Sequence, residues 1–160
     1  MSANGIAVTV SGVARAEPAA AFAAIAPVDL TRIFTGMGPL PGVAGTRGQT
    51  GDWDHVGATR TVELSDGSEA REAITAYDAP AHFAYRLDGF SGPLRLVVER
   101  ADGAWWFSDG MRGGTQVRWT YVFVPRAGRR WLVRAAVAPL WRAYARRVLA
   151  RAIAEAESAS

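Results

Sequence analysis

The chain has no cysteine, no lysine and only two histidines in 160 residues. Without cysteine there is no disulfide, no thiolate metal ligand and no cysteine nucleophile, which fits a reducing compartment. Without lysine, all 18 basic residues are arginine. Together with the alanine and glycine load, this reads as a GC-rich coding bias. The net charge is only +3, and a nucleic-acid binder is expected to carry a dense basic patch with interleaved aromatics, so no nucleic-acid partner is expected. No run approaches the ~20 apolar residues of a membrane span. Residues 1–18 lack a basic n-region and their apolar residues alternate rather than cluster, so they do not read as a signal peptide; the expected location is cytoplasmic. There is no supported Ser-His-Asp pattern, no phosphate-binding glycine loop and no zinc signature. Neither a cofactor nor a metal is expected.

What is present is ordinary globular composition, 49% hydrophobic and 21% charged, enough to bury the core of one domain spanning 1–160. Residues 6–15 alternate as a strand, with Val8 and Val10 against Thr9 and Ser11. Pro18 opens a short helix carrying Phe22 and Ile25. Asp29 can cap a second short helix with Leu30, Ile33 and Phe34 on one side. After a Gly/Pro loop at 36–42, strands are expected at 43–50, 57–64, 69–77, 82–87, 105–108 and 115–124, joined by turn signals. Residues 94–100 read either as a short strand or as an irregular flap. Residues 129–157 form a long amphipathic helix with Val133, Val137, Leu140, Trp141, Tyr144, Val148 and Ala152 on one stripe. Pro139 lies inside it and predicts a kink or restart near 135–138. Consecutive strands joined by short turns make an antiparallel meander, and the helix is its obvious cover.

This order resembles the Bet v 1-like or START superfamily (SRPBCC), and within it the polyketide cyclase/dehydrase and lipid-transport branch. The resemblance runs from about Val8 to Glu157 through "EPAAAF", "GATRTVELSDGSEAREAI", "HFAYRL", "AWWFSDGMRGGTQVRWTYVFVP" and "PLWRAY". It implies an α+β helix-grip fold: a curved antiparallel sheet of six to seven strands wrapped around the C-terminal helix, with two short helices after the first strand. It also implies a cavity between sheet and helix for an apolar or aromatic small molecule. Superfamily membership does not choose between carrier, cyclase, hydrolase and sensor.

Within such a cavity the inward-facing aromatics Phe83, Tyr85, Trp105, Phe107, Trp119 and Tyr121 both fill and line. Phe22, Trp53, Leu140 and Tyr144 complete the expected wall. The polar candidates are Arg60 and Glu72. If Ser65 pairs with Glu69 around a three-residue loop, Arg60, Val62, Leu64, Ala70, Glu72 and Ile74 share one face. If Leu64 pairs with Glu69, Glu72 falls with Thr59, Thr61 and Glu63. The first register gathers the apolar residues and is preferred. Arg60 and Glu72 are then either a self-satisfying buried ion pair, or a polar anchor or acid/base pair for a ligand. Asp52, Asp54 and His55 form a second cluster, where His55 is a candidate base. The plainer reading there is a capped turn with Trp53 over the pocket rim. Arg126, Arg129, Arg130 and Arg134 beside Trp131 are either a contact for an anionic surface or a solvated helix start. His82 reads as a surface residue.

Three functions follow. The first is binding of a small hydrophobic or aromatic molecule, lipid- or polyketide-like. The second is a cyclase or dehydratase in which Arg60 polarises a carbonyl while Glu72 or His55 moves a proton. The third is a partner-binding module docking through Trp131. Homodimerisation is left open.

Overall fold

A computed structural model describes residues 5–159. Met1–Asn4, on which part of the leader-peptide reading rests, and Ser160 lie outside the described residues. Strand β1 (Ile6–Ala14) buries Val8, Val10 and Ala14, the inward set of its alternation. Helix α1 (Pro18–Ile25) begins on Pro18, where a missing N–H is no loss, and buries Ala21, Phe22 and Ile25. Helix α2 (Leu30–Ile33) starts where the Asp29 carboxylate accepts from the Thr31 backbone N–H and hydroxyl.

Six strands follow: β2 (Val43–Arg47), β3 (Thr59–Leu64), β4 (Glu69–Asp78), β5 (His82–Asp88), β6 (Val98–Asp109) and β7 (Thr115–Pro125). They form one antiparallel sheet in the order β1-β7-β6-β5-β4-β3-β2. Register shifts in β2, β4 and β6 bend it, as an extra residue on one strand does. The expected helix-grip architecture is therefore present.

Three details depart from the sequence reading. The β3–β4 register is neither of the two weighed: Glu63 lies opposite Glu69 and Arg60 opposite Glu72. The loop is Ser65-Asp66-Gly67, with Gly67 at φ 85° and the Leu64 N–H donating to the Ser68 carbonyl. In such a hairpin the left-handed residue comes last in the loop, and Gly67 is the residue that occupies it. The result is shifted by two residues from the preferred register, so the same side chains share a face, because strand period is two. Secondly, 94–100 is both alternatives in succession: a 3-10 turn (Pro93–Leu96), then the opening of a twelve-residue β6. Thirdly, His82 is half-buried on the outer sheet face, stacked on Trp106 at 4.8 Å.

The terminal helix is composite: α3 (Arg130–Leu132), a π-helical turn (Val133–Val137) and α4 (Ala138–Ala159). Pro139 has no N–H to give the carbonyl one turn back, and the wider turn just before it absorbs the defect. There the Ala138 N–H reaches the Val133 carbonyl. Further along, α4 packs on β1 and α1 and buries Val148, Leu149, Ala152 and Ala156. Near its start, Trp141 packs on Trp119, Tyr121 and Phe123 of β7. No helix among the described residues is long and apolar enough to cross a membrane.

Candidate functional site

Under the first turns of α4 lies a cavity of about 160 Å³. Its floor is the concave sheet face, where Phe83, Tyr85, Trp105, Tyr121 and Phe123 alternate inward on β5, β6 and β7. Its roof is Val137, Trp141 and Tyr144, and its sides are Ile33, Phe34, Leu40 and Pro41 on one flank and Phe90 and Leu94 on the other. The roof is anchored. Trp141 lies 4.5 Å from Tyr121, centroid to centroid, and stacks on Phe34 at 6.3 Å. The Tyr144 hydroxyl donates to the Pro41 carbonyl at 3.2 Å and accepts from the Gly36 N–H at 2.9 Å.

One end of this apolar space is charged. Arg60 Nε donates to Glu72 Oε1 at 2.7 Å, and both side chains are buried. Trp53 covers the guanidinium, whose Cζ sits 3.9 Å from the indole centroid, an arrangement that favours a desolvated cation. Among the described residues the pair makes no further hydrogen bond, yet neither the Arg60 Nη atoms nor Glu72 Oε2 is sealed off from open space. Both residues line the cavity. Burial raises the Glu72 pKa above the ordinary glutamate value, and the Arg60 charge and hydrogen bond offset part of that.

Beside the pair, the Tyr85 hydroxyl accepts from Trp119 Nε1 at 3.0 Å, and the Tyr121 ring meets that of Tyr85 edge-to-face at 6.0 Å. Burial raises both phenol pKa values, with the Glu72 charge adding to it, so both hydroxyls keep their protons at neutral pH. Gly103 makes this packing possible. It pairs with Tyr85 on one side and Tyr121 on the other, and a Cβ there would lie 2.4 Å from Tyr85 Cζ.

Of the residues singled out from sequence, Trp53, Arg60, Glu72, Phe83, Tyr85, Trp105, Tyr121 and Tyr144 meet at this cavity. Four expected wall residues do not. Phe22 and Phe107 pack edge-to-face at 5.2 Å in the core under α1. Trp119 is covered by Trp105, stacked at 4.7 Å. Leu140 is about 100° round the helix from Trp141 and outside the lining. His55 is also elsewhere: its side chain is 56% exposed and bonded to Asp54 at 2.9 Å. It follows Trp53 in an exposed bend and is not among the lining residues, which removes it as a base there. Asp52 is exposed as well, and among the described residues no three acidic or histidine side chains are grouped to hold a metal ion. Trp131 is 67% exposed.

Sequence reasoning missed Phe34, Leu40, Phe90, Leu94 and Trp141 as lining. Two had a signal: Trp141 sits three residues before Tyr144 on the same helical stripe, and Phe34 shares one side of the second short helix with Leu30 and Ile33. Leu40, Phe90 and Leu94 lie in loops or a short turn, where no periodicity reports direction.

Residues 5–157 match the family described as polyketide cyclase/dehydrase and lipid transport. A search of curated proteins finds no significant match. Among solved structures, the chain is similar to the crystal structure of Ara h 8.0201 (TM-score 0.72, 16% identity, covering 96% of this chain and 99% of that one). It is also similar to an uncharacterised protein from Bacillus thuringiensis (TM-score 0.67, 15% identity, with the same coverage of 96% and 99%). At these identities the likeness speaks to fold.

Proposed function

Because the chain belongs to the polyketide cyclase/dehydrase and lipid transport family, we propose that it binds a small hydrophobic or aromatic molecule in the cavity between the sheet and the first turns of α4. The observation that carries this reading is the lining: aromatic and aliphatic side chains nearly throughout, with polar groups gathered at the Arg60–Glu72 end. Small-molecule sites have this character, with apolar walls for affinity and a few placed polar groups for orientation. Three indoles, of Trp53, Trp105 and Trp141, border the space, so occupancy is readable as a change in intrinsic fluorescence. Titration with a panel from fatty acids to alkylphenols, alongside native mass spectrometry of freshly purified protein, is expected to find a binder or a co-purified compound. A panel that changes neither fluorescence nor melting temperature, with a mass spectrum of bare protein, would overturn the reading.

A cyclase- or dehydratase-type reaction is the second reading, favoured by one observation. Glu72 is a buried carboxyl with a raised pKa, in the same cavity as a guanidinium, and perturbed carboxyls of this kind serve as acid/base groups. In this reading Arg60 polarises a carbonyl and Glu72 moves the proton.

A further inference from the structure

We infer that the ligand is compact and uncharged: about one ring in size, carrying a single group that both donates and accepts a hydrogen bond, such as a phenol or an enol, held between Glu72 and Arg60. This rests on the binding reading above and narrows it in two independent ways.

Size comes first. An apolar protein cavity of about 150 Å³ holds benzene, whereas sites for drug-sized ligands run from about 300 Å³ upward. At about 160 Å³ the space admits one ring with a short substituent. A long acyl chain or a fused multi-ring compound would have to extend out of the cavity or move the roof. The roof resists movement, because Trp141 is held between Phe34 and Tyr121 and the neighbouring Tyr144 is tied by two hydrogen bonds to the loop at 36–41.

Charge comes second. The Arg60 charge is already matched by Glu72 at 2.7 Å. A carboxylate entering the cavity would add an uncompensated negative charge beside Glu72, and an ammonium would add a positive one beside Arg60; either is costly away from water. What the pair still offers is complementary: Glu72 Oε2 accepts, and the Arg60 Nη atoms donate. A hydroxyl answers both, giving its proton to Oε2 and taking a hydrogen bond from Nη. The Tyr85 hydroxyl is already engaged by Trp119 Nε1, and the Tyr121 hydroxyl, in the same cavity wall, is uncharged and leaves the charge argument unchanged.

The test is a titration of the full chain at pH 7 with 4-ethylphenol, ethylbenzene, 4-ethylbenzoate, 4-phenylphenol and palmitate, read by tryptophan fluorescence and calorimetry. 4-Ethylphenol is expected to bind about tenfold or more tighter than ethylbenzene, the order of one hydrogen bond to a charged group, and tighter than the other three. The paired variant Arg60→Met/Glu72→Leu leaves no unpaired charge to unfold the protein, and it is expected to bind 4-ethylphenol and ethylbenzene alike. Trp141→Ala is expected to admit 4-phenylphenol. Wild-type binding of palmitate or 4-phenylphenol as tightly as 4-ethylphenol would overturn the size claim and leave the binding reading standing. Preference for 4-ethylbenzoate, or an undiminished phenol preference in the paired variant, would overturn the anchor. Silence from all five probes would overturn this inference, and the binding reading falls with it only if the wider panel is silent and the mass spectrum shows bare protein.

Discussion

At the scale of single residues, Arg60 and Glu72 are the chain's costliest choice. Two charges taken out of water are repaid only by close geometry, and removing one partner strands the other at about 3–5 kcal/mol. Replacing both with apolar side chains of similar volume is commonly neutral or stabilising by about 1–4 kcal/mol. Glu72→Ala is therefore expected to lower the urea midpoint sharply, whereas Arg60→Met/Glu72→Leu holds or raises it. The pH dependence has a definite sign. Burial raises the native Glu72 pKa above its ordinary value of 4.5, so the native carboxyl holds its proton to higher pH than the unfolded one. The associated stability is full below pH 4.5 and is lost as pH rises through the native value. Measured by urea unfolding from pH 4 to 8, wild-type stability minus that of the paired variant should fall with rising pH; a rise would contradict the assignment. At this scale the sequence was informative. Two opposite charges on the apolar face of a hairpin are visible as soon as the register parity is known, and parity survived even though the register itself was misplaced by two.

At the scale of elements, β6 shows why a strand can hide. Its inward positions Ala101 and Gly103 carry no apolar bulk, so alternation is silent until Trp105. The missing volume is supplied from the neighbouring strand: the Tyr85 ring lies over Gly103, within 2.4 Å of where a Cβ would stand. Gly103→Ala should push that ring toward the cavity it lines, break its bond with Trp119, and cost about 1–3 kcal/mol as overpacking does. Ligand binding should weaken with it. In a double-mutant cycle measured by chemical denaturation, Tyr85→Leu is expected to absorb most of the Gly103→Ala penalty; simple additivity would mean the two do not compete for space. The helix was more legible than the strand. Pro139 announces where regular hydrogen bonding must fail, and the π turn sits immediately before it.

At the scale of the whole molecule, charge and cavity are segregated. No acidic residue lies between Asp109 and Glu155, a stretch that holds ten of the 18 arginines. Arg142, Arg146, Arg147 and Arg151 are exposed along α4, on the side away from the sheet. Such a surface acts on solubility and on association with anions, and does little for the fold. Changing these four to glutamine should bring the protein off a cation exchanger at lower salt at pH 8. Probe affinity in the cavity should stay within about twofold, since exposed charges beyond a Debye length of ~8–10 Å are screened. A larger loss would mean that the helix surface and the cavity are coupled.

The sequence by itself determined the element order, the antiparallel meander, the amphipathic terminal helix and the break in it, because each is written in local periodicity, in turn chemistry or in a proline that cannot donate. It also determined that two opposite charges and a run of aromatics would face inward. Which aromatics became wall and which became filler was decided only by tertiary structure. Phe107 and Trp119 have the same strand alternation as Phe83, Trp105 and Tyr121, and differ only in that Phe22 of α1 or a neighbouring ring covers them. The same holds for the pocket that opened this question of function. Its existence follows from a curved sheet under one helix, but its size depends on where Trp141 comes to rest, and that is set by contacts with Phe34 and Tyr121, residues 107 and 20 positions away along the chain.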